Sequence, residues 1–234
     1  AARAIKDRMI RFASETWNIP AEQITFRDDH VLVGNERISF GELAKKCHQG
    51  RIHLSEAGFY KTPKVVWDRP NAKGRPFYYF AWGAACTEVT VDTLTGEMIV
   101  DRIDILHDVG HSLNPAIDIG QIEGGFVQGM GWLTTEQLVW DAQGRLATHA
   151  PSTYKIPTTG DIPAHLRVDL WPEPNREDNV FGSKAVGEPP FMLAISVFEA
   201  LRDAVAQARG DGAAVTLQAP ATAEAVLNAL NAGQ

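Results

Sequence analysis

The apolar positions of the first fifty residues change from a helical to an alternating period and back. A helical period spans residues 1–18, with one face made of Ile5, Met9, Phe12 and Ala13. Short alternating runs at Ile24–Arg27 and His30–Val33 predict two strands joined by a tight turn. The sequence Ser39–Glu42 then has the form of a capping box, which predicts a short helix that reaches Cys47.

The middle of the chain is dominated by β-type patterns. Phe77–Asp92 is predicted to be a long strand, and its first half, Phe77–Trp82, is apolar throughout, as in a strand buried on both faces. Glu97–Leu106 is predicted to return beside it as an antiparallel hairpin partner. A second hairpin is predicted within residues 135–148, and residues 165–171 suggest a further strand.

The helical period returns after Asn114-Pro115, in a helix whose apolar positions are Ile117, Ile122, Phe126, Val127 and Met130. The clearest helix of the chain is predicted at Pro190–Arg209, with Gly210 just past its end. Thr222 can cap a last short helix that ends at about Leu230. Because strands and helices mix without a strict β-α-β rhythm, the pattern favours an α+β fold with antiparallel hairpins packed against helices.

Composition narrows the function classes. The chain has 234 residues, 44% of them hydrophobic, and a net charge of −7 with both signs dispersed, which argues against general nucleic-acid binding. No apolar run is long enough to span a bilayer. The two cysteines provide neither a disulfide framework nor the four ligands of an iron–sulfur cluster, and they favour a reducing, cytoplasmic compartment.

The beginning of the chain indicates that more protein precedes it. Residue 1 is Ala rather than a start Met, the first helix has no Ser, Thr, Asp or Asn before it, and a signal peptide is absent. We therefore expect residues 1–234 to be the C-terminal portion of a longer domain, with further site residues upstream.

The segment Gly182–Pro190 contains the strongest candidate for a catalytic group. It places the carboxylate of Glu188 between Gly187 and two prolines at the start of the predicted helix. Pro189 disfavours the α region for the preceding residue, so an extended Glu188 is expected. A carboxylate held in such a frame is a candidate general base, whereas a Glu that only complements the helix dipole is the alternative.

The helix after Pro115 carries five glycines within Gly120–Gly131, each of which costs about 0.8–1.0 kcal/mol relative to Ala. Either close helix packing or the close approach of a large ligand could offset this cost. Gln121 offers an amide donor and acceptor beside these glycines and could read the edge of a pterin. Gly182–Gly187 does not fit a phosphate loop, because Glu188 and Pro189 stand where Lys and Ser/Thr are required. Gly125–Gly131 does not follow a strand with the spacing of a dinucleotide-binding motif.

Three further features have weaker interpretations. His107 and His111 have a spacing that suggests a metal site, but without a third ligand a surface-loop role is favoured. Pro151–Pro157 is expected to be a rigid connector. Lys184 could donate to a bound anion or could be a solvated surface lysine.

Three unusual segments, taken in order, resemble the molybdenum-binding part of the xanthine dehydrogenase/oxidase family. They are Ser112–Gly129, Pro151–Pro157 and Ser183–Pro190. The resemblance implies that Glu188 is the catalytic base of a hydroxylation that uses oxygen derived from water. It also implies that Gln121 hydrogen-bonds the molybdopterin cofactor and that Lys184 and Gly187 line it. The metal would be held by the cofactor's own sulfurs, so no metal-ligating side chain is expected.

The resemblance further implies a purine substrate, such as hypoxanthine or xanthine, and electron transfer through 2Fe-2S clusters and FAD to NAD. Those groups would reside in another domain or a partner subunit, in a dimer of such units. Two alternatives remain open at this stage: a related molybdenum hydroxylase for aldehydes or other N-heterocycles, and a noncatalytic assembly module.

Overall fold

A computed structural model describes residues 1–232 of the chain, which divides into two compact units, Ala1–Lys64 and Val65–Gln234. Within the described residues, no helix is long and apolar enough to cross a membrane. Cys47 and Cys86 are both free thiols.

The first unit is a three-stranded antiparallel sheet covered by two helices. Its elements are α1 (Ala2–Trp17), β1 (Ile24–Arg27), β2 (His30–Val33), β3 (Glu36–Ser39) and α2 (Phe40–Gln49). The predicted strands and the capping box are confirmed, since the Ser39 hydroxyl accepts the Glu42 N–H at 3.1 Å. The edge strand β3 was not predicted because its sequence is short and mostly polar and exposed.

The second unit contains a small hairpin and a larger sheet. The hairpin pairs β4 (Val66–Asp68) with β5 (Lys73–Arg75). In the sheet, β6 (Gly83–Val91) pairs antiparallel with β7 (Met98–His107), and β8 (His165–Leu170) adds to the other side of β7 in parallel. The α+β class is therefore confirmed, with one parallel pair beside its antiparallel hairpins.

The prediction of a doubly buried strand at Phe77–Trp82 is wrong. Strand β6 begins only at Gly83, and Phe77, Phe80 and Trp82 are exposed. The Phe77 and Phe80 rings meet edge to face at a centroid distance of 5.9 Å, and the Phe80 and Trp82 rings meet at a tilt at 5.7 Å. The partner strand β7 ends at His107, opposite Gly83, so the residues before Gly83 have no strand to pair with. Apart from Tyr78, which is buried, the aromatic side chains of the run instead lie at or near the surface.

The hairpin predicted within residues 135–148 forms only next to its turn, which lies at Asp141–Gly144 as expected. The Asp141 N–H donates to the Arg145 carbonyl at 2.9 Å and the Ala147 N–H donates to the Val139 carbonyl at 2.7 Å, on either side of an isolated antiparallel bridge between Trp140 and Leu146. The Val139 N–H bonds to the Thr148 hydroxyl at 3.1 Å instead of to a backbone carbonyl, so the ladder extends no further.

Three helices pack on the larger sheet: α3 (Pro115–Thr134), α4 (Ile195–Arg209) and α5 (Ala223–Asn231). Asn114 and Thr222 cap α3 and α5 through their side chains. The buried core joins the sheet to all three helices through Ile103, Ile105, Ile122, Phe126, Met130, Val197, Leu201, Val205 and Val226. The predicted helix at Pro190–Arg209 is in fact a 3-10 helix, Pro189–Ala194, followed by α4.

The 3-10 helix lies directly on the glycines of α3. A methyl group built on Gly129 would lie 2.5 Å from the Phe191 carbonyl oxygen, and one built on Gly125 would lie 3.2 Å from the Gly187 carbonyl oxygen. The rings of Trp132 and Phe191 complete this contact at 5.1 Å. On this face, close packing accounts for the glycines.

We expect Gly129→Ala to lower the free energy of unfolding by about 1–3 kcal/mol, the usual cost of overpacking, despite the better helix propensity of Ala. Gly124→Ala is the matched control, because a methyl group there meets nothing within 4 Å, and it should stabilise α3 by up to about 1 kcal/mol. Urea unfolding of both variants measures the difference. Equal effects would show that the contact does not constrain the helix.

Candidate functional site

Glu188 lies at the start of the 3-10 helix, at the end of residues 183–188, which we call the Glu188 loop. Its carboxylate is exposed and caps no backbone N–H. The expectation of an extended residue is wrong: φ is −101° and ψ is −33°. The tendency imposed by Pro189 is overridden because the Glu188 carbonyl accepts the Phe191 N–H at 3.0 Å and closes the first 3-10 turn.

Gln121 and the Glu188 loop meet at the surface of α3. The Gln121 Oε1 lies 3.6 Å from the point where a Cβ on Gly187 would stand, so Gly187 leaves room for the amide next to Glu188. Methyl groups built on Gly120 and Gly124 meet nothing within 4 Å, which leaves the helix face around Gln121 open. Among the described residues, none hydrogen-bonds the Gln121 amide. An exposed donor–acceptor group thus stands beside an exposed carboxylate and an open surface.

Lys184 has a different environment from either sequence interpretation. Its ammonium donates to Asp108 Oδ2 at 2.6 Å, and the two side chains are only 8% and 14% exposed. Asp108 Oδ1 also accepts the Gly110 N–H at 2.9 Å. The solvated surface lysine is therefore excluded, and the ammonium is already paired inside the protein. Asp108 was missed by the sequence analysis because 76 residues separate it from Lys184.

The surface-loop interpretation is wrong for His107 and holds for His111. His107 ends β7 and is 1% exposed, whereas His111 is exposed. Because the Trp82 carbonyl can only accept, the His107 Nδ1 donates to it at 3.1 Å, and the buried Nε2 has no partner among the described residues. No cluster of metal-ligating side chains occurs within residues 1–232.

The proline-framed connector packs on the C-terminal end of α3. The Thr135 hydroxyl donates to the Lys155 carbonyl at 2.6 Å, and the Tyr154 hydroxyl donates to the Glu136 carboxylate at 2.5 Å. This hydrogen bond to Glu136 raises the pKa of Tyr154. The connector is thus held in place at the end of α3 remote from Gln121.

A separate cavity of about 570 Å³ lies on the other side of the Glu188 loop. Its lining includes Tyr79, Trp82, Trp171, Asp108 and Lys184, but not Glu188, Gln121 or Gly187. The structure therefore brings together three of the four residues predicted for the site, and it places Lys184 behind them. The side chains of Glu188 and Gln121 are both exposed, and their role in a site stays a prediction.

Comparison with known proteins assigns the class. The model of the molybdopterin cofactor-binding domain family matches residues 1–163, so the chain belongs to that family. The resemblance found from the sequence motifs is confirmed: the chain is 45% identical over 215 residues to a xanthine dehydrogenase of Oryza sativa subsp. japonica, which covers 88% of this chain. The chain spans only 16% of that relative's length.

Solved structures agree on the fold. Quinoline 2-oxidoreductase from Pseudomonas putida 86 superposes on 99% of the chain with a TM-score of 0.66 at 24% identity, and the match covers 29% of that protein. Aldehyde oxidoreductase from Desulfovibrio gigas matches 68% of the chain with a TM-score of 0.55 at 34% identity, over 16% of its own length.

The residues present fit the cofactor that this family binds. The open face at Gly120 and Gly124 leaves space for a large planar ligand, and the unpaired Gln121 amide can donate to and accept from a pterin. Gly187 adds no side chain to this space. The buried ion pair of Lys184, by contrast, does not depend on a ligand.

The buried imidazole of His107 makes stability depend on pH. Burial lowers its pKa below the ordinary value of 6.5, so the folded chain keeps His107 neutral while the unfolded chain binds a proton first as the pH falls. The free energy of unfolding should therefore decrease below about pH 6.5, by at most about 1.4 kcal/mol per pH unit from this group. His107→Gln should reduce that slope in urea unfolding between pH 5 and 8. His111→Gln, at an exposed imidazole, should leave it unchanged, and equal slopes in all three proteins would contradict the assignment.

Proposed function

We propose that this chain is the C-terminal portion of the molybdenum-cofactor-binding region of a hydroxylase that resembles xanthine dehydrogenase. Its reaction would be the hydroxylation of a purine, hypoxanthine or xanthine to urate, with oxygen derived from water. Membership of the molybdopterin-binding family and the 45% identity to the rice xanthine dehydrogenase support this proposal.

The observation that carries the proposal is the meeting of Gln121 with Gly187 and Glu188. Gln121 would bind the cofactor through its amide, and Gly187 would let the cofactor approach the backbone. Glu188 would act as the base for the reaction with the substrate. The Gln121 Oε1 lies 3.6 Å from the point where a Cβ on Gly187 would stand, which sets Gln121 beside the residue that precedes the proposed base. Because Glu188 caps no backbone N–H, this arrangement favours a base beside the cofactor over a carboxylate that serves the helix start.

Glu188 would act as the general base. Its exposed carboxylate at the start of the 3-10 helix can accept a proton from the oxygen nucleophile. When bound, the cofactor supplies the metal centre for oxygen transfer and the acceptor for two electrons. Gln121 would orient the pterin by donating from its amide nitrogen and accepting at Oε1.

The remaining parts of the enzyme would come from outside this chain. Gln121 and Glu188 are exposed and lie outside the described cavity beside Lys184, so a closed active site needs walls from the remainder of the molybdenum-binding region. The 2Fe-2S clusters, FAD and NAD site would belong to another domain or subunit, since two cysteines cannot ligate a cluster. We further propose a cytoplasmic dimer of such units, a compartment that suits the two free thiols.

An aldehyde or another N-heterocycle is the second candidate substrate. The matches to aldehyde oxidoreductase and quinoline 2-oxidoreductase support this second candidate. The higher sequence identity to xanthine dehydrogenases favours a purine substrate. Comparing kcat/KM for xanthine, an aldehyde and quinoline in the complete enzyme decides between these substrates.

Glu188→Gln tests the base directly. The amide keeps the size of the side chain but cannot accept the proton, so turnover in the complete enzyme should fall by roughly 10²–10⁴-fold. Molybdenum content and the unfolding temperature should stay at the wild-type level, because the carboxylate caps no N–H and ligates no metal.

Glu97→Gln is the matched control, since Glu97 is an exposed carboxylate in the remote turn between β6 and β7. It should leave turnover unchanged. If Glu188→Gln retains more than about a tenth of wild-type turnover, a loss of less than 1.4 kcal/mol in activation free energy, then Glu188 is not the base. A complete enzyme with no turnover on any substrate class would favour the assembly module.

Gln121→Ala tests the cofactor contact. Deleting one hydrogen bond should weaken pterin binding by about 0.5–1.5 kcal/mol, roughly two- to tenfold. The substitution should not unfold α3, because Ala has the highest helix propensity. Molybdenum and pterin content after dialysis provide the measurement. Gln143→Ala, in the exposed turn at Asp141, is the control and should retain full cofactor content. Equal content in the two variants would leave only the packing role for this helix.

A further inference from the structure

The Asp108–Lys184 ion pair stands out because it is buried and lies next to the proposed base. The 2.6 Å contact joins the loop that ends in Glu188 to the residue that follows β7. Other ion pairs of the second unit, such as Asp141–Arg145, are much more exposed. A buried pair so close to the site therefore calls for a specific role.

Asp108 is itself fixed in place by the sheet. Its N–H donates to the Trp82 carbonyl at 2.8 Å, and its second carboxylate oxygen accepts the Gly110 N–H at 2.9 Å. The carboxylate that receives Lys184 therefore belongs to the rigid end of β6 and β7. It is a fixed anchor for the ammonium.

The backbone of the Glu188 loop attaches to the same anchor. The Lys184 N–H donates to the Val109 carbonyl at 2.7 Å, and the His111 N–H donates to the Gly182 carbonyl at 2.8 Å. These two bonds flank the bridge between Gly110 and Ser183. The ion pair adds a side-chain contact that stabilises this short backbone connection.

Only three residues lie between this anchor and Glu188, and each is in contact with the protein. The Ala185 N–H donates to the Tyr79 hydroxyl at 3.1 Å, Val186 packs on the core, and the Gly187 carbonyl lies against Gly125. A shift of the loop at Lys184 would therefore be transmitted to the Glu188 carboxylate.

We propose that Lys184 and Asp108 are positioning residues that hold Glu188 in place through their buried ion pair, instead of Lys184 contacting the cofactor. This role rests on the proposed function of Glu188 as the base. Removing one member of a buried pair leaves an uncompensated charge, whereas removing both members does not. The proposal thus predicts that two disruptive single variants rescue each other.

The test uses Lys184→Met, Asp108→Asn and the double variant in the complete enzyme. Each single variant should speed hydrogen exchange of residues 183–187 by about tenfold or more, because the charge left unpaired draws water into the anchor. Turnover should fall by roughly 10–100-fold with KM within about threefold, the pattern of a misplaced catalytic group. Molybdenum content should not change. The double variant should recover most of the exchange protection and turnover relative to either single variant.

Exchange in Met98–Ile105 of β7 and in α4 serves as the internal control and should remain at the wild-type rate. Asp141→Asn, which breaks an exposed pair, should change neither exchange in the loop nor turnover. The proposal is overturned if Lys184→Met lowers molybdenum content without changing exchange of the loop, which would make Lys184 a cofactor contact. It is equally overturned if the double variant shows no rescue, or if exchange rises throughout β7 and α4.

The exchange measurement also separates this proposal from the proposed function. If Glu188→Gln retains turnover, Glu188 is not the base. The positioning role is then wrong as well, even if hydrogen exchange of the loop still increases in the Lys184 and Asp108 variants. If Glu188→Gln is inactive and loop exchange is unchanged in the Lys184 and Asp108 variants, the base stands and the positioning role is wrong.

Discussion

The contact between the 3-10 helix and the glycine face of α3 is the constraint on which the candidate site depends. Phe191 presents its carbonyl to Gly129 at a distance that admits no side chain, and Gly187 presents its carbonyl to Gly125. Because both contacts are made by backbone atoms, they fix the position of the Glu188 loop along the axis of α3. A side chain at Gly129 would stand 2.5 Å from the Phe191 carbonyl oxygen and force the backbone apart, whereas one at Gly125 would meet its neighbours at 3.2 Å, a tighter contact than usual.

The glycines that permit this contact lower the helix propensity of α3 itself. Five glycines in α3 disfavour the helical state by on the order of 4–5 kcal/mol relative to alanines. The apolar side of the same helix offsets that cost, since Ile122 and Phe126 are fully buried against the sheet and α4. Close packing applies to Gly125, Gly129 and Gly131. Gly120 and Gly124 border open space, and the close approach of a ligand there stays a prediction.

Period and capping signals were sufficient for most elements of this fold. The helices at residues 1–18 and after Pro115, the hairpin of β6 with β7, and the caps at Ser39 and Thr222 all depend on neighbouring residues, so a local pattern can predict them. The prediction of a strand at Phe77–Trp82 is wrong because a strand needs a pairing partner. The apolar run itself does not reveal that β7 ends at His107. The prediction of an extended Glu188 is wrong for a local reason, since the 3-10 hydrogen bond from the Phe191 N–H to the Glu188 carbonyl outweighs the preference before proline.

The two sides of the Glu188 loop differ in how their polar groups are satisfied. Behind the loop, Lys184 and Asp108 are largely buried and paired, and the N–H groups of Lys184 and Ala185 donate to a carbonyl and a hydroxyl oxygen. In front of it, Glu188 and Gln121 are exposed, the Glu188 carboxylate caps no N–H, and no described residue bonds the Gln121 amide. Preorganised sites need this asymmetry, because a reacting group must be held by its support while its own hydrogen-bonding capacity stays available. Motif matching pointed to Glu188 and Gln121 as candidates, whereas Asp108, 76 residues from Lys184, became apparent only once the fold placed the two together.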